Sequence, residues 1–109
     1  MARLVAPIIL ALFLSRLSAT AQIVINDDLG RSVRLSSPAQ RIVSLAPSIT
    51  ESLYALGAAD QVCGVTDYCT FPEDARRKPH VGGMTTPSIE AIVGLNPDLI
   101  IVSKEGNAR

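Results

Sequence analysis

The segment Arg41-Ile42-Val43-Ser44-Leu45 constrains the fold more than any other part of the chain. It is short and nearly continuously apolar, the pattern of a parallel strand covered on both faces. Pro47 ends it, and Ser48-Ile49-Thr50-Glu51 follows with the S-x-x-E spacing of a capping box. In that motif the Ser hydroxyl and the Glu carboxylate each satisfy an orphan helix N–H. Ile49, Leu53 and Leu56 then line one helical face, and Gly57 is a natural C-terminal stop. The segment therefore reads as strand, tight loop, helix.

The same unit recurs in outline. Val62-Cys63-Gly64-Val65-Thr66 reads as the next strand, followed by a loop with Asp67, Tyr68, Phe71 and Pro72 and a short polar turn over Glu73–Arg77. Val81-Gly82-Gly83 adds a brief strand or bend. Pro87-Ser88 opens a second helix with Ser88 as N-cap and Ile89, Ile92, Val93 and Leu95 as its apolar face. Asn96-Pro97-Asp98 stops that helix, and Leu99-Ile100-Ile101-Val102 reads as a third buried strand. Strands alternating with helices on short loops predict an α/β fold with a parallel, Rossmann-like sheet flanked by helices. Ahead of it, Gln22–Asn26 and Arg31–Leu35 flank the turn Asp27-Asp28-Leu29-Gly30 and predict a small β-hairpin. The third unit lacks its helix and leaves one sheet face uncovered, the pattern of a fragment or truncated reading frame.

The N-terminus has the parts of a cleavable secretory signal. Arg3 precedes the apolar run Leu4–Leu14, and the small-residue triplet Ala19-Thr20-Ala21 ends it. Arg16 interrupts the run before it reaches the roughly 20 apolar residues a membrane span needs. Residues 1–21 are thus the expected signal peptide, with Gln22 first in the mature chain. The cleavage point carries no cysteine for a lipid anchor. Without Arg3 and Arg16 the mature part has 8 Lys and Arg against 10 Asp and Glu, a net charge of 8 − 10 = −2. That balance points away from nucleic acid. Cys63 in the strand and Cys69 in the following loop match no strong metal or redox motif. A chain leaving a strand end usually moves away, so they read as one buried thiol and one loop thiol, with a disulfide left open.

In open parallel sheets ligands bind at the carboxyl ends of the strands. Those ends are Ala46-Pro47-Ser48, Thr66-Asp67-Tyr68 and Ser103–Asn107, joined by Gly82-Gly83-Met84-Thr85-Thr86. Small residues, one aromatic and one Met suit a shallow, mostly apolar ligand surface. The chain has no G-x-G-x-x-G after a strand, no phosphate-binding P-loop and no G-x-S-x-G elbow. His80 is the only histidine, beside Lys78 and Pro79 in what reads as an exposed loop, and no second His or spaced Cys completes a metal set. No catalytic residue, metal or cofactor is expected.

The sequence Arg41–Glu51, then Leu56-Gly57, Val62–Tyr68, Phe71-Pro72, Val81-Gly82-Gly83 and Ile89–Ile100, resembles the N-terminal lobe of periplasmic binding proteins of the cobalamin and iron-siderophore class. Gly64–Tyr68 with the following aromatic-Pro pair is most similar to the vitamin B12 branch. The resemblance implies two rigid α/β lobes joined by a long helix. It implies reversible capture of a corrinoid by a periplasmic, monomeric component of an ABC importer, and docking on a membrane permease. An iron siderophore or haem is the other ligand of that class, and an exported enzyme on the same scaffold the remote alternative. Carried over by position, Ser48 and Tyr68 face the ligand, Met84 and Ser103 stand where a B12 binder can carry tryptophans, and Glu90 is the permease-docking carboxylate. Glu90 also lies two residues past the N-cap, where the helix dipole alone favours a carboxylate.

Overall fold

The computed structural model describes residues 21–107; the expected signal segment, apart from Ala21, lies outside them. The chain divides into two compact units, Met1–Pro38 and Ala39–Arg109.

In the first unit, β1 (Ile23–Asn26) and β2 (Ser32–Leu35) pair antiparallel, with Ile23 opposite Leu35 and Asn26 opposite Ser32. One carboxylate builds the turn. Asp27 Oδ1 accepts from the N–H of Leu29 at 3.0 Å and of Arg31 at 2.8 Å, while its Oδ2 accepts from Arg31 Nε at 2.7 Å. This is the local side-chain-to-backbone bonding that makes Asp a turn residue. Along β2, Val33 and Leu35 are half-buried while Ser32 and Arg34 are exposed, the alternation read from the sequence.

The second unit holds a three-stranded sheet in the order β4-β3-β5, with both pairs parallel. Its strands are β3 (Ile42–Ser44), β4 (Val62–Gly64) and β5 (Leu99–Ile101). The helices are α1 (Pro47–Ala55), α2 (Glu73–Arg76), α3 (Ile89–Gly94) and α4 (Lys104–Asn107), with a 3-10 turn at Ala59–Gln61. Alternation along β3 assigns the faces. Ser44 bonds to Thr50 of α1, while Val43 and Leu45 join a cluster with Val81 and Ile92 of α3. On the α1 side, Val62, Val65 and Cys69 pack against Leu53 and Tyr54. Each fully buried Val, Leu or Ile contributes about 1.5–3 kcal/mol. The register slips by one residue between Ile42 and Val43, opposite Val62 and Gly64 respectively. At this bulge Cys63 packs against the Val43 cluster, and a Cβ on Gly64 would meet Leu95 Cδ1 at 2.6 Å and Val43 Cγ2 at 3.2 Å. Glycine here leaves room for the Leu95 side chain, at the end of α3, to pack directly on the strand.

Helix ends follow the sequence in two places. After α1, Gly57 is left-handed (φ 78°), its N–H bonds to Tyr54 O and that of Ala58 to Leu53 O, the paired bonds of a Schellman stop. After α3, Asn96 takes the left-handed conformation (φ 49°). At the same end of the sheet, Asp98 accepts the N–H groups of Gln40 and Arg41, each at 2.8 Å. Arg41 in turn donates through Nε and Nη2 to Leu95 O, the cap carbonyl of α3.

Four expectations need correction. The capping box does not form: α1 starts at Pro47, its N-cap is Ala46, no side chain caps it, and Glu51 is exposed. Proline suits the first helical position, having no N–H to orphan and a preset φ, so the helix begins one residue before Ser48. The apolar helix faces hold only in part: Leu53 of α1, Ile92 of α3 and Leu95 at the α3 C-cap pack on the core as expected, but the rest differ. Thr50 is the buried residue of α1 because it bonds to Ser44, whereas Leu56 lies at the C-cap and is 81% exposed. On α3 only Ile92 is buried, while Ile89 and Val93 are exposed. The cysteines exchange roles: strand Cys63 is half-buried and loop Cys69 is the buried thiol, both free. A turn closed by Cys69 N–H to Thr66 O, 3.1 Å, folds the loop back under the sheet end. Finally β5 is only half-buried rather than a buried strand, Ile100 and Val102 are exposed, and a short helix, α4, follows it where the sequence pattern places none.

Candidate ligand-binding rim

Three chain segments leave the sheet at its carboxyl edge, and one side chain ties them together. The Asn107 carboxamide nitrogen donates to Leu45 O at 2.8 Å and to Met84 O at 2.6 Å, while its oxygen accepts from Ser103 N at 2.6 Å. The ends of β3 and β5 and the loop over residues 82–86 therefore share one fastening. Met84 Cε would lie 2.7 Å from a Cβ on Gly106, so the Met84 side chain rests on the open backbone of α4. Ser103 is half-buried, with its Oγ accepting from Gly106 N at 3.3 Å.

The 82–86 loop is joined to the β4 end by Asp67 N–H to Gly82 O, 2.9 Å. Its own turn closes with Gly82 opposite Pro87 and Ser88 N–H to Val81 O at 2.7 Å. Gly82 sits at φ 104°, and a Cβ there would be 3.1 Å from Thr86 O, so this turn needs glycine. The brief strand or bend expected at Val81–Gly83 is this pair of bridges, Val65 with His80 and Gly82 with Pro87.

Tyr68 stands on the same edge. Its ring carbon Cε2 would be 4.0 Å from a Cβ on Gly83, and the residue is 64% exposed. Buried polar atoms fix its backbone. Thr50 Oγ1 lies 2.8 Å from Ser44 Oγ and 3.2 Å from Cys69 Sγ, Thr66 Oγ1 lies 3.2 Å from the same sulfur, and Tyr68 N–H donates to Thr66 Oγ1 at 3.3 Å. Among the described residues no buried side-chain N or O lacks a partner. A rigid support thus carries an exposed ring. His80 is exposed as expected, and both its ring nitrogens are engaged, Nδ1 with Asp67 Oδ1 and Nε2 with Arg76 O, each at 3.0 Å.

The structure brings Tyr68, Met84 and Ser103 together around Gly83, Gly106 and Asn107. Ser48 is exposed on the first turn of α1, three residues past Leu45, and its carbonyl accepts from Ser52 Oγ at 2.8 Å. Glu90 is exposed on the first turn of α3, where Ser88 caps the helix by accepting from Ala91 N at 3.2 Å, and the Ser88 hydroxyl lies 3.4 Å from Glu90 Oε2. Asn107 is the residue that sequence reasoning did not single out. An asparagine in a polar loop gives no local sign that its partners lie 62 and 23 residues away. Among the described residues no three His, Cys, Asp or Glu side chains gather as a metal site. Chemically the rim offers an aromatic face, a thioether, hydroxyls and backbone polar groups, a surface suited to a mostly apolar ligand.

Known proteins are similar to this chain in sequence and fold. The sequence profile described as periplasmic binding protein matches residues 42–109. A vitamin B12-binding protein of Yersinia pestis is 41% identical over 69 residues, covering 63% of this chain and 25% of that protein. The crystal structure of the periplasmic vitamin B12-binding protein of Vibrio cholerae aligns with TM-score 0.61 and 44% identity, over 64% of this chain and 28% of that one. A periplasmic haem-binding protein from Roseiflexus, in apo form, aligns with TM-score 0.59 and 38% identity, over 63% of this chain and 27% of that one. The chain spans about a quarter of the length of these relatives.

Proposed function

This chain belongs to the periplasmic binding protein family, and on that premise we propose that it is the ligand-capturing part of an ABC importer for a corrinoid such as cobalamin. Residues 39–107 form one wall of a two-walled cleft. Tyr68 supplies an aromatic face, Met84 an apolar neighbour, and Ser48 and Ser103 hydroxyls at the rim. The carrying observation is the exposed Tyr68 ring at the carboxyl edge of a parallel sheet, its backbone N–H bonded to the buried Thr66 hydroxyl. Loops on a rigid scaffold are where binding residues concentrate. Capture is reversible and non-catalytic. Glu90, exposed on α3, is the carboxylate that pairs with basic residues of the permease. Residues 1–21 direct export to the periplasm and are removed.

Similarity to a haem-binding relative supports a second ligand, a porphyrin. Anionic siderophores call for Arg or Lys on the rim, and in the rim segments Lys104 is the one such residue. The test is an NMR titration of the full chain with cyanocobalamin and, separately, with haemin. One wall buries little of a ligand, so weak, fast-exchanging binding is expected, with saturable shifts at Tyr68. Tyr68→Ala should weaken it about tenfold, in the range of an aromatic anchor. A Tyr68 signal unmoved by either ligand up to its solubility limit would sink the reading.

A further inference from the structure

The described residues contain three aromatic side chains, and two of them stand on one short loop. Tyr54 is committed elsewhere: it packs against the Val62 cluster, and its hydroxyl donates to Asp74 Oδ2 at 2.6 Å. Tyr68 and Phe71 are 64% and 67% exposed, three residues apart. An exposed Phe gains nothing from the core, so its place in the loop calls for another reason. The loop between them is firmly anchored. Cys69 is 1% exposed and lies 3.2 Å from both Thr50 Oγ1 and Thr66 Oγ1. Thr70 N–H donates to Tyr68 O at 3.0 Å, and past Phe71 the N-cap Pro72 accepts from Ala75 N at 2.9 Å. Ala75 is fully buried, which fixes the far side. Two large aromatic side chains are thus exposed three residues apart on a short loop anchored at Cys69 and at Ala75, and neighbouring exposed apolar groups on a fixed loop are what a binding surface requires.

We infer that Phe71 is a second ligand-contacting aromatic, forming with Tyr68 a two-ring platform for the flat apolar face of a broad macrocycle. The inference rests on the ligand-capture reading and names a contact that reading does not include. The chemistry is common to corrins and porphyrins: an extended ring system offers its face, and two aromatic side chains meet it by stacking or edge contact. A small polar solute would use only one ring and leave the other wet.

The chain carries only two Tyr and two Phe, so its aromatic NMR spectrum is simple to assign. Cyanocobalamin and haemin are titrated in separate arms into the full chain, and into Phe71→Ala and Phe71→Trp. The expected result in at least one arm is that Tyr68 and Phe71 shift along one binding curve while Tyr54 does not. Phe71→Ala should then weaken binding at least about fivefold, and Phe71→Trp should retain it. A Tyr68 shift with Phe71 unmoved, or with affinity unchanged in Phe71→Ala, overturns this inference and leaves the ligand-capture reading standing. No shift at either ring in either arm overturns both. Because Phe71 is exposed, backbone amide spectra of both variants should match the parent.

Discussion

Asn107 donates to the carbonyl of Leu45 at 2.8 Å, joining two loops that are 62 residues apart in sequence. The same side chain also holds Met84 O and Ser103 N, so its loss frees three rim segments at once. Asn107→Ala should lower stability by about 1–3 kcal/mol, the cost of leaving half-buried backbone groups without partners. Asn107→Asp should be at least as damaging, because a carboxylate cannot donate to two carbonyls. Urea unfolding reads the stability loss, and amide hydrogen exchange should show it concentrated in residues 83–86 and 103–107. Parent-like stability in both variants would contradict the fastening role.

Gly64→Ala tests the close approach of α3 to the sheet. The new Cβ would sit 2.6 Å from Leu95 Cδ1, 3.2 Å from Val43 Cγ2 and 3.4 Å from Val81 Cγ1. Leu95 can move aside, whereas the two valines are fully buried. Overpacking of this kind costs about 1–3 kcal/mol. Adding Leu95→Ala should recover part of the loss, giving a non-additive double-mutant cycle in chemical denaturation. Strict additivity would mean the crowding lies elsewhere.

Acid should loosen the opposite end of the sheet first at Asp98. The backbone N–H groups of Gln40 and Arg41 hold its carboxylate below the ordinary aspartate value. A carboxyl whose folded pKa is depressed adds stability above its unfolded value, about 3.9, and loses it as pH falls through the folded value. The stability of Asp98→Asn should therefore fall less steeply than the parent's below about pH 4. Asp27, also held low by Arg31 and Leu29, leaves a residual slope. Parallel acid-unfolding curves for parent and variant would refute the assignment.

Alkali addresses Tyr54. Desolvation, and then the hydrogen bond to Asp74, raise its pKa above the ordinary tyrosine range of about 10. With the folded value raised, its contribution is full below about pH 10 and is lost as pH rises through the folded value. Near-ultraviolet titration should show one tyrosine ionising late, and Tyr54→Phe should abolish that component. The same variant should be less stable at neutral pH by about 0.5–1.5 kcal/mol. A late component that survives in Tyr54→Phe would assign it wrongly.

The order of strands and helices was legible because it rests on local signals: apolar runs, Pro47, Ser88, Gly57 and Asn96. What was not legible depended on which way each piece turns against the others. The S-x-x-E spacing at Ser48–Glu51 was a true match to a motif that Pro47 pre-empts by starting the helix first. Thr50, not the neighbouring aliphatics, is the buried residue of α1, because its partner Ser44 is presented by a strand six residues earlier. Cys69 is buried by a backbone turn that leaves no trace in residue type. At the rim, Tyr68 could be picked out as an aromatic at a strand end, but Asn107 could not, since its three bonds exist only after residues 45, 84 and 103 have met.

The central strand of the sheet is also its earliest. β3 is made before β4 and β5, its two neighbours, and pairs with both of them. During synthesis it therefore waits with both edges open, and pairing cannot start until residue 62 exists or finish until residue 101 does. That order delays collapse and keeps an apolar strand unpaired until both of its neighbours have been made.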